Sequence, residues 1–191
     1  MSTATAELVQ AMLSVLRQQV QPLRSAQLQE RLQISQPTAS RALAALVQSG
    51  EVVKLGQGRS QHYGLPRHVA GVGQQIPVTT VDAAGRVQAW GTLHALQGDG
   101  YWVEGEGLRA MLGGGPYFDG LPWLLQDMRP QGFLGRSFAK QYMGQALGSD
   151  PRQWSEDDVL LALTQFGDDL PGNLIVGEAA LQRYLQRTGK G

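Results

Sequence analysis

The stretch Ser35-Gln36-Pro37-Thr38-Ala39-Ser40-Arg41-Ala42-Leu43 constrains this chain more than any other. Ser35 is a ready N-cap, and Pro37 falls in the first turn, where its missing N–H removes nothing a helix needs. Ala39, Leu43, Leu46 and Val47 recur at helical spacing and define one buried stripe. Gln36, Thr38, Ser40, Arg41 and Ala44 remain on the opposite side. That side is short and hydrogen-bonding, with one guanidinium, which suits a helix lying in the major groove of DNA.

The flanks agree with this reading. Leu8, Ala11, Met12, Val15 and Leu16 form the stripe of a first helix that stops near Pro22. Ser25 is expected to cap a short second helix through Leu28 and Leu32, with Gln33-Ile34-Ser35 as a tight turn and Gly50 closing the third helix. Val52 to Leu55 and Gln61 to Leu65 alternate around the turn Gly56-Gln57-Gly58-Arg59-Ser60, which predicts a β-hairpin with Arg59 at its tip. Helix, helix, helix, hairpin is the order of a winged helix-turn-helix, assigned to residues 1–68. The candidate DNA contacts are Ser35, Gln36, Thr38, Ser40, Arg41, Lys54, Arg59 and Gln61. The alternative is a winged helix kept as a protein-docking module.

Charge is distributed accordingly. The formal net charge is zero, yet residues 1–70 carry seven Lys/Arg against three Asp/Glu, and residues 71–191 nine against thirteen. The positive half is the half with the DNA-reading pattern, as phosphate neutralisation requires. The chain has no cysteine, so a disulfide framework and a thiolate metal site are excluded. His62, His68 and His94 fall on different elements and suggest no metal site. No cofactor is expected. The chain shows neither a membrane-length apolar run nor a basic start followed by an apolar core, so the expectation is a cytoplasmic protein without membrane contact.

Pro66 to Gln75 reads as a linker, with Gly71 and Gly73 outside the strand-turn-helix context of a dinucleotide fingerprint. A second domain is expected over 76–187. Ile76–Val81, Val87–Leu96 and Tyr101–Glu104 alternate as three strands of a small antiparallel sheet. Gly113-Gly114-Gly115-Pro116 reads as a flexible stretch, with no Lys-Ser/Thr after it to make a phosphate loop. Leu121–Met128 predicts a short helix, and Arg129 to Arg136 a turn into a helix reaching Leu147. Ser155-Glu156-Asp157-Asp158 predicts a capping box, Asn173–Val176 a buried strand, and Glu178–Leu185 a last helix. The fold class is α+β. Asp157-Asp158 and Asp168-Asp169 are the only carboxylate pairs that could suggest acid–base chemistry. The first is accounted for by the cap and the helix dipole, the second by a Gly-Asp-Asp-Leu-Pro-Gly turn.

The segment from Leu121-Pro122-Trp123 to Arg129-Pro130-Gln131-Gly132-Phe133-Leu134-Gly135-Arg136 resembles the N-terminal subdomain of HipA-family serine/threonine kinases. Gly167-Asp168-Asp169-Leu170-Pro171-Gly172-Asn173-Leu174-Ile175-Val176-Gly177 resembles a later loop and strand of the same subdomain. A winged helix directly in front is similar to the YjjJ branch of that toxin–antitoxin family. The resemblance implies a kinase core beyond this subdomain. The chain reaches Gly191 without an ATP-binding loop, a catalytic Asp or a metal-binding Asp, so no catalytic residue carries over and this chain is not expected to be an enzyme alone. It reads as an N-terminal fragment or a split-gene product. The implied partners are double-stranded DNA and a HipA-like kinase core in cis or trans, with a homodimer suited to a palindromic site. Trp123, Phe133, Leu134 and Arg136 are the candidate partner-binding residues, the alternative for the apolar three being the subdomain's own core. Two other functions stay open: a free-standing ligand-sensing transcriptional regulator, and a kinase-inhibiting antitoxin subunit without DNA binding.

Overall fold

The computed structural model describes residues 3–143, 146–169 and 173–189; the side chains of residues 3–5, 133, 134, 142, 143 and 169 fall outside that description. The first helix, α1 (Thr3–Arg17), buries Val9, Met12, Leu13 and Leu16, spaced to fall on one face. A left-handed Gln33 (φ 53°) turns the chain from α2 (Ser25–Leu32) into α3 (Gln36–Gln48). Leu28 of α2 packs with Ala39, Ala42, Leu43 and Leu46 of α3 and with the α1 face in one apolar cluster. Each fully buried Leu there contributes about 1.5–3 kcal/mol relative to exposure. The N-cap of α2 is Arg24 rather than Ser25. The Arg24 N–H donates to the Gln27 side chain at 2.8 Å, while the Ser25 hydroxyl accepts from Gln29 inside the helix.

The wing is β1 (Val53–Leu55) paired antiparallel with β2 (His62–Gly64), and Leu23 adds a third segment as a bridge, exchanging backbone hydrogen bonds with Tyr63. The first helix ends at Arg17, five residues before Pro22, so Pro22 leads into this bridge and does not itself end the helix. The turn carries a 3-10 segment, Gly58–Ser60.

Residues 66–74 are packed, unlike the free linker that their composition suggests. Pro66 bridges Leu96, the Arg67 N–H donates to the Ala95 carbonyl at 2.9 Å, and Val69 is fully buried. The Arg67 guanidinium donates to both oxygens of Asp157 (2.8 and 2.6 Å), to the Tyr101 hydroxyl (2.9 Å) and to the Leu96 carbonyl (3.2 Å). Burial pushes the Tyr101 phenol far above its ordinary range, against the opposing pull of Arg67.

The second domain is built on β3 (Gln75–Val81), β4 (Val87–Ala95), β5 (Gly100–Glu104), β6 (Tyr117–Asp119) and β7 (Leu174–Val176). They form one antiparallel sheet in the order β6-β5-β4-β3-β7, a meander closed on its far edge by a strand from the end of the chain. Side chains alternate across the sheet. Ile76, Val78, Leu93, Ala95, Tyr101, Val103 and Val176 face a core shared with Val159, Leu160 and Leu163 of α7 (Glu156–Phe166). Between β5 and β6 lies α4 (Glu106–Leu112), a helix over residues that the sequence assigned to no element; Gly113, the first of the glycine stretch, is its C-cap. Leu108 of α4 fits against β4 because Gly91 has no side chain: a Cβ there would stand 2.8 Å from the Leu108 Cβ and 2.2 Å from the Glu104 carbonyl oxygen.

The short helix expected over Leu121–Met128 is α5 (Trp123–Asp127). The helix expected next is α6 (Gly132–Phe138), continued by a π-helical turn at Ala139–Met143; residues 144 and 145 of that expectation lie outside the described set. Ser155 caps α7 through a reciprocal pair with Asp158. Asp157 does more than complement the helix dipole, since it is the partner of Arg67. Asp168 is nearly buried and joins α7 to α8 (Glu178–Thr188) through Arg183 at 3.2 Å and Arg187 at 3.7 Å. It is a structural tie. Leu170, Pro171 and Gly172 of that expected turn lie outside the described residues. The architecture is α+β, a three-helix winged head against a sheet backed by helices.

Candidate nucleic-acid interface

The local chemistry of α3 puts its polar side outward. Ser35 caps the helix, its hydroxyl accepting from the Thr38 N–H at 3.4 Å and lying 2.9 Å from the Thr38 hydroxyl. These two hydroxyls are therefore engaged with each other at the helix start. Gln36, Ser40, Arg41 and Ala44 are exposed, and Thr38 is half-buried. The Arg41 Nε donates to the Pro37 carbonyl at 3.3 Å, which lays the guanidinium back along the helix towards its N-terminus.

On the wing, Lys54 and Arg59 are exposed. Gly56 adopts φ +71°, and a Cβ there would stand 2.9 Å from the Ser60 carbonyl oxygen, so the tight turn that presents Arg59 requires glycine. Gln61 is half-buried with its side-chain amide donating to the Tyr63 hydroxyl, so it faces along the wing rather than freely outward.

The second domain holds this wing through residues distant from it in sequence. The row His94, Trp102 and Tyr117 runs straight across β4, β5 and β6 on the sheet face opposite the main core. Leu55 of the wing packs there with Leu96 and Trp102, flanked by Val53 and Tyr117. The His62 ring lies 4.9 Å from the Trp102 ring at a tilt of 48°. The Gly56 N–H donates to Glu104 Oε1 at 2.5 Å. The other Glu104 oxygen stands 3.4 Å from His94 Nε2, a close approach that is ionic only when the imidazole is protonated, and both His94 ring nitrogens are buried without a hydrogen-bond partner among the described residues. Burial holds His94 below its ordinary value, while Glu104 pulls it back up. Alternation along β5 was the available signal: with Tyr101 and Val103 inward, Trp102 and Glu104 share the other face.

His62 also ties Arg24 into the interface. Arg24 Nε donates to His62 Nε2 at 3.3 Å, which places the ring proton on Nδ1, 2.7 Å from the Ser60 carbonyl it donates to. Between wing and second domain opens a cleft of about 920 Å³, walled by Arg24, Gln57, Ser60 and His62 on one side and by Trp102, Glu104, Glu106 and Arg109 on the other.

The candidate partner-binding residues sit elsewhere. Trp123 is 48% exposed, its indole N–H donating to the Leu112 carbonyl, and Met111 beside Leu112 is 51% exposed. Trp123 is thus outside the core, and Arg136 is exposed on α6. The side chains of Phe133 and Leu134 are outside the described set.

Two family models match separate stretches of the chain. Residues 72–185 match the family model of the YjjJ-like toxin middle domain, and residues 10–56 match that of the IclR helix-turn-helix domain. The Toxin YjjJ of Escherichia coli (strain K12) is 38% identical over 166 residues, which cover 86% of this chain and 35% of that protein. The chain therefore spans about a third of the length of this relative. The crystal structure of the DIP2311 protein from Corynebacterium diphtheriae is 36% identical over 34% of this chain and 11% of that one, with a TM-score of 0.30, and carries no argument about the fold.

Proposed function

The chain belongs to the YjjJ-like toxin family, and from that premise we propose that it is the DNA-binding regulatory module of a HipA-like toxin–antitoxin kinase. A helix-turn-helix domain stands in front of a YjjJ-like middle domain in one chain, and no helix among the described residues is long and apolar enough to cross a membrane. The observation that carries the reading is the exposed face of α3, with Gln36, Ser40 and Arg41 outward beside a wing that presents Lys54 and Arg59. In this role α3 reads operator base edges, the wing and Arg24 hold phosphates, and the chain itself performs no chemistry. The middle domain docks on a kinase core in cis or trans, and the exposed Trp123 and Met111 supply apolar surface for that contact.

Titration of duplex DNA against the full chain at rising salt tests the reading. Affinity is expected to fall with a log–log slope of about −0.9 per neutralised phosphate. Binding that stays flat from low to high salt removes it.

A further inference from the structure

Arg109 is the candidate that the functional reading leaves unused. It is exposed on α4, its guanidinium makes no hydrogen bond or ion pair among the described residues, and it lines the same cleft as Arg24, Gln57 and Ser60 of the wing side. We propose that this cleft is a slot for a DNA phosphate, with Arg24 on the winged-helix side and Arg109 on the second domain, so that the middle domain takes part in DNA binding. The proposal rests on the DNA-binding reading above and extends it to a domain that carries none of the helix-turn-helix.

A DNA strand seated against α3 and the wing passes the wing turn, and the wall beyond that turn is α4. The wall does not drift. The Glu104 carboxylate holds the Gly56 N–H, Trp102 backs the His62 ring, and Leu55 is buried against Leu96, so β5 and the start of α4, two residues after Glu104, are anchored to the wing. Arg24 is likewise set by its bond to His62, which leaves its terminal amino groups for an oxygen ligand. Two guanidiniums lining one cleft, one from each domain, are the chemistry that recognises a phosphate.

Two carboxylates share the cleft, and they act differently. Glu104 is engaged on one oxygen by Gly56 and faces His94 with the other. Glu106 is exposed and unpaired among the described residues, one helical turn before Arg109. A phosphate in this slot is attracted by Arg109 and repelled by Glu106, so the two substitutions must act in opposite directions.

The test compares the full chain with its R109Q and E106Q variants in binding a random-sequence duplex over a range of salt. R86Q serves as the control, since it removes the same charge from the turn between β3 and β4, outside the cleft, where Arg86 pairs with Asp82. With R109Q the slope is expected to become shallower by about 0.9, so that its deficit against wild type shrinks about 3.5-fold between about 50 and 200 mM salt. E106Q is expected to bind more tightly than wild type, and R86Q to match it. A loss of affinity in R109Q with an unchanged slope means Arg109 acts through the wing or a free anion, and overturns the proposal. An R109Q variant indistinguishable from R86Q overturns it too, while the DNA reading stands on the wild type's own salt dependence. A wild type that binds no DNA removes both.

Discussion

Replacing Arg67 with Gln removes the strongest polar junction between the two halves of the chain. The guanidinium is 19% exposed and makes four side-chain hydrogen bonds, two of them to the Asp157 carboxylate at 2.8 and 2.6 Å. Breaking a buried ion pair costs about 3–5 kcal/mol, and a hydrogen bond to a charged group about 1.5–3 kcal/mol. Asp157 is 44% exposed and recovers hydration once its partner is gone. The buried Tyr101 hydroxyl keeps Asp157 as an acceptor at 3.3 Å. The loss therefore falls to about 2–3 kcal/mol, nearer the hydrogen-bond figure than the ion-pair one. For a chain of this length that lowers Tm by about 4–12 °C. Thermal unfolding followed by circular dichroism measures it, with R86Q as the reference because Arg86 pairs with Asp82 at the surface and is worth about 0.5 kcal/mol or less. If R67Q melts within error of R86Q, the junction is ornamental and the reasoning fails. A D157N/R67Q cycle should also return a coupling above about 1 kcal/mol, since the two side chains touch.

Arg41→Ala should weaken specific DNA binding by about 1–3 kcal/mol and flatten sequence preference, whereas Arg59→Ala should weaken all sequences alike; equal losses on every duplex would contradict the assignment of readout to Arg41. Ser155→Ala deletes the acceptor of the Asp158 N–H and should lower stability by about 1 kcal/mol in chemical denaturation. His94 is held below its ordinary value of 6.5, so the unfolded chain takes up its proton first. Stability should therefore fall as pH drops through about 6.5 and below, and His94→Gln should show a smaller difference between denaturation midpoints near pH 7 and pH 5.5. An unchanged pH dependence in that variant would mean that another group titrates.

The parts of the fold legible in sequence are those written in short-range chemistry. The α3 cap, its apolar stripe and Gly50 lie within sixteen residues (35–50), and the strands from 75 to 104 alternate between turns. What escaped notice depends on distant residues. With seven residues between Gly105 and Gly113, α4 is too short for a periodic signal and went unassigned. The three residues of β6 leave no alternation to read. Arg24 displaced Ser25 as a cap by one position, which propensity alone does not resolve. The packed segment at 66–74 has the composition of a linker, and only Asp157, ninety residues further on, reveals what Arg67 is for. The exposed polar side of α3 could be read from its residues. The cleft could not, because its walls come from both domains.

The grip of β5 on the wing makes the neighbourhood of Pro66 a poor place to cut the chain. A fragment ending there keeps α1, α2 and α3 but strips the hairpin of Leu96, Trp102 and the carboxylate that receives the Gly56 N–H. Amide exchange would register this as shared protection, with β1 and β2 opening alongside β4 and β5 rather than with the three helices. The region expected to unravel as one piece then differs from the region proposed to touch DNA, and a mutation deep in the sheet can loosen the wing without altering any residue on it.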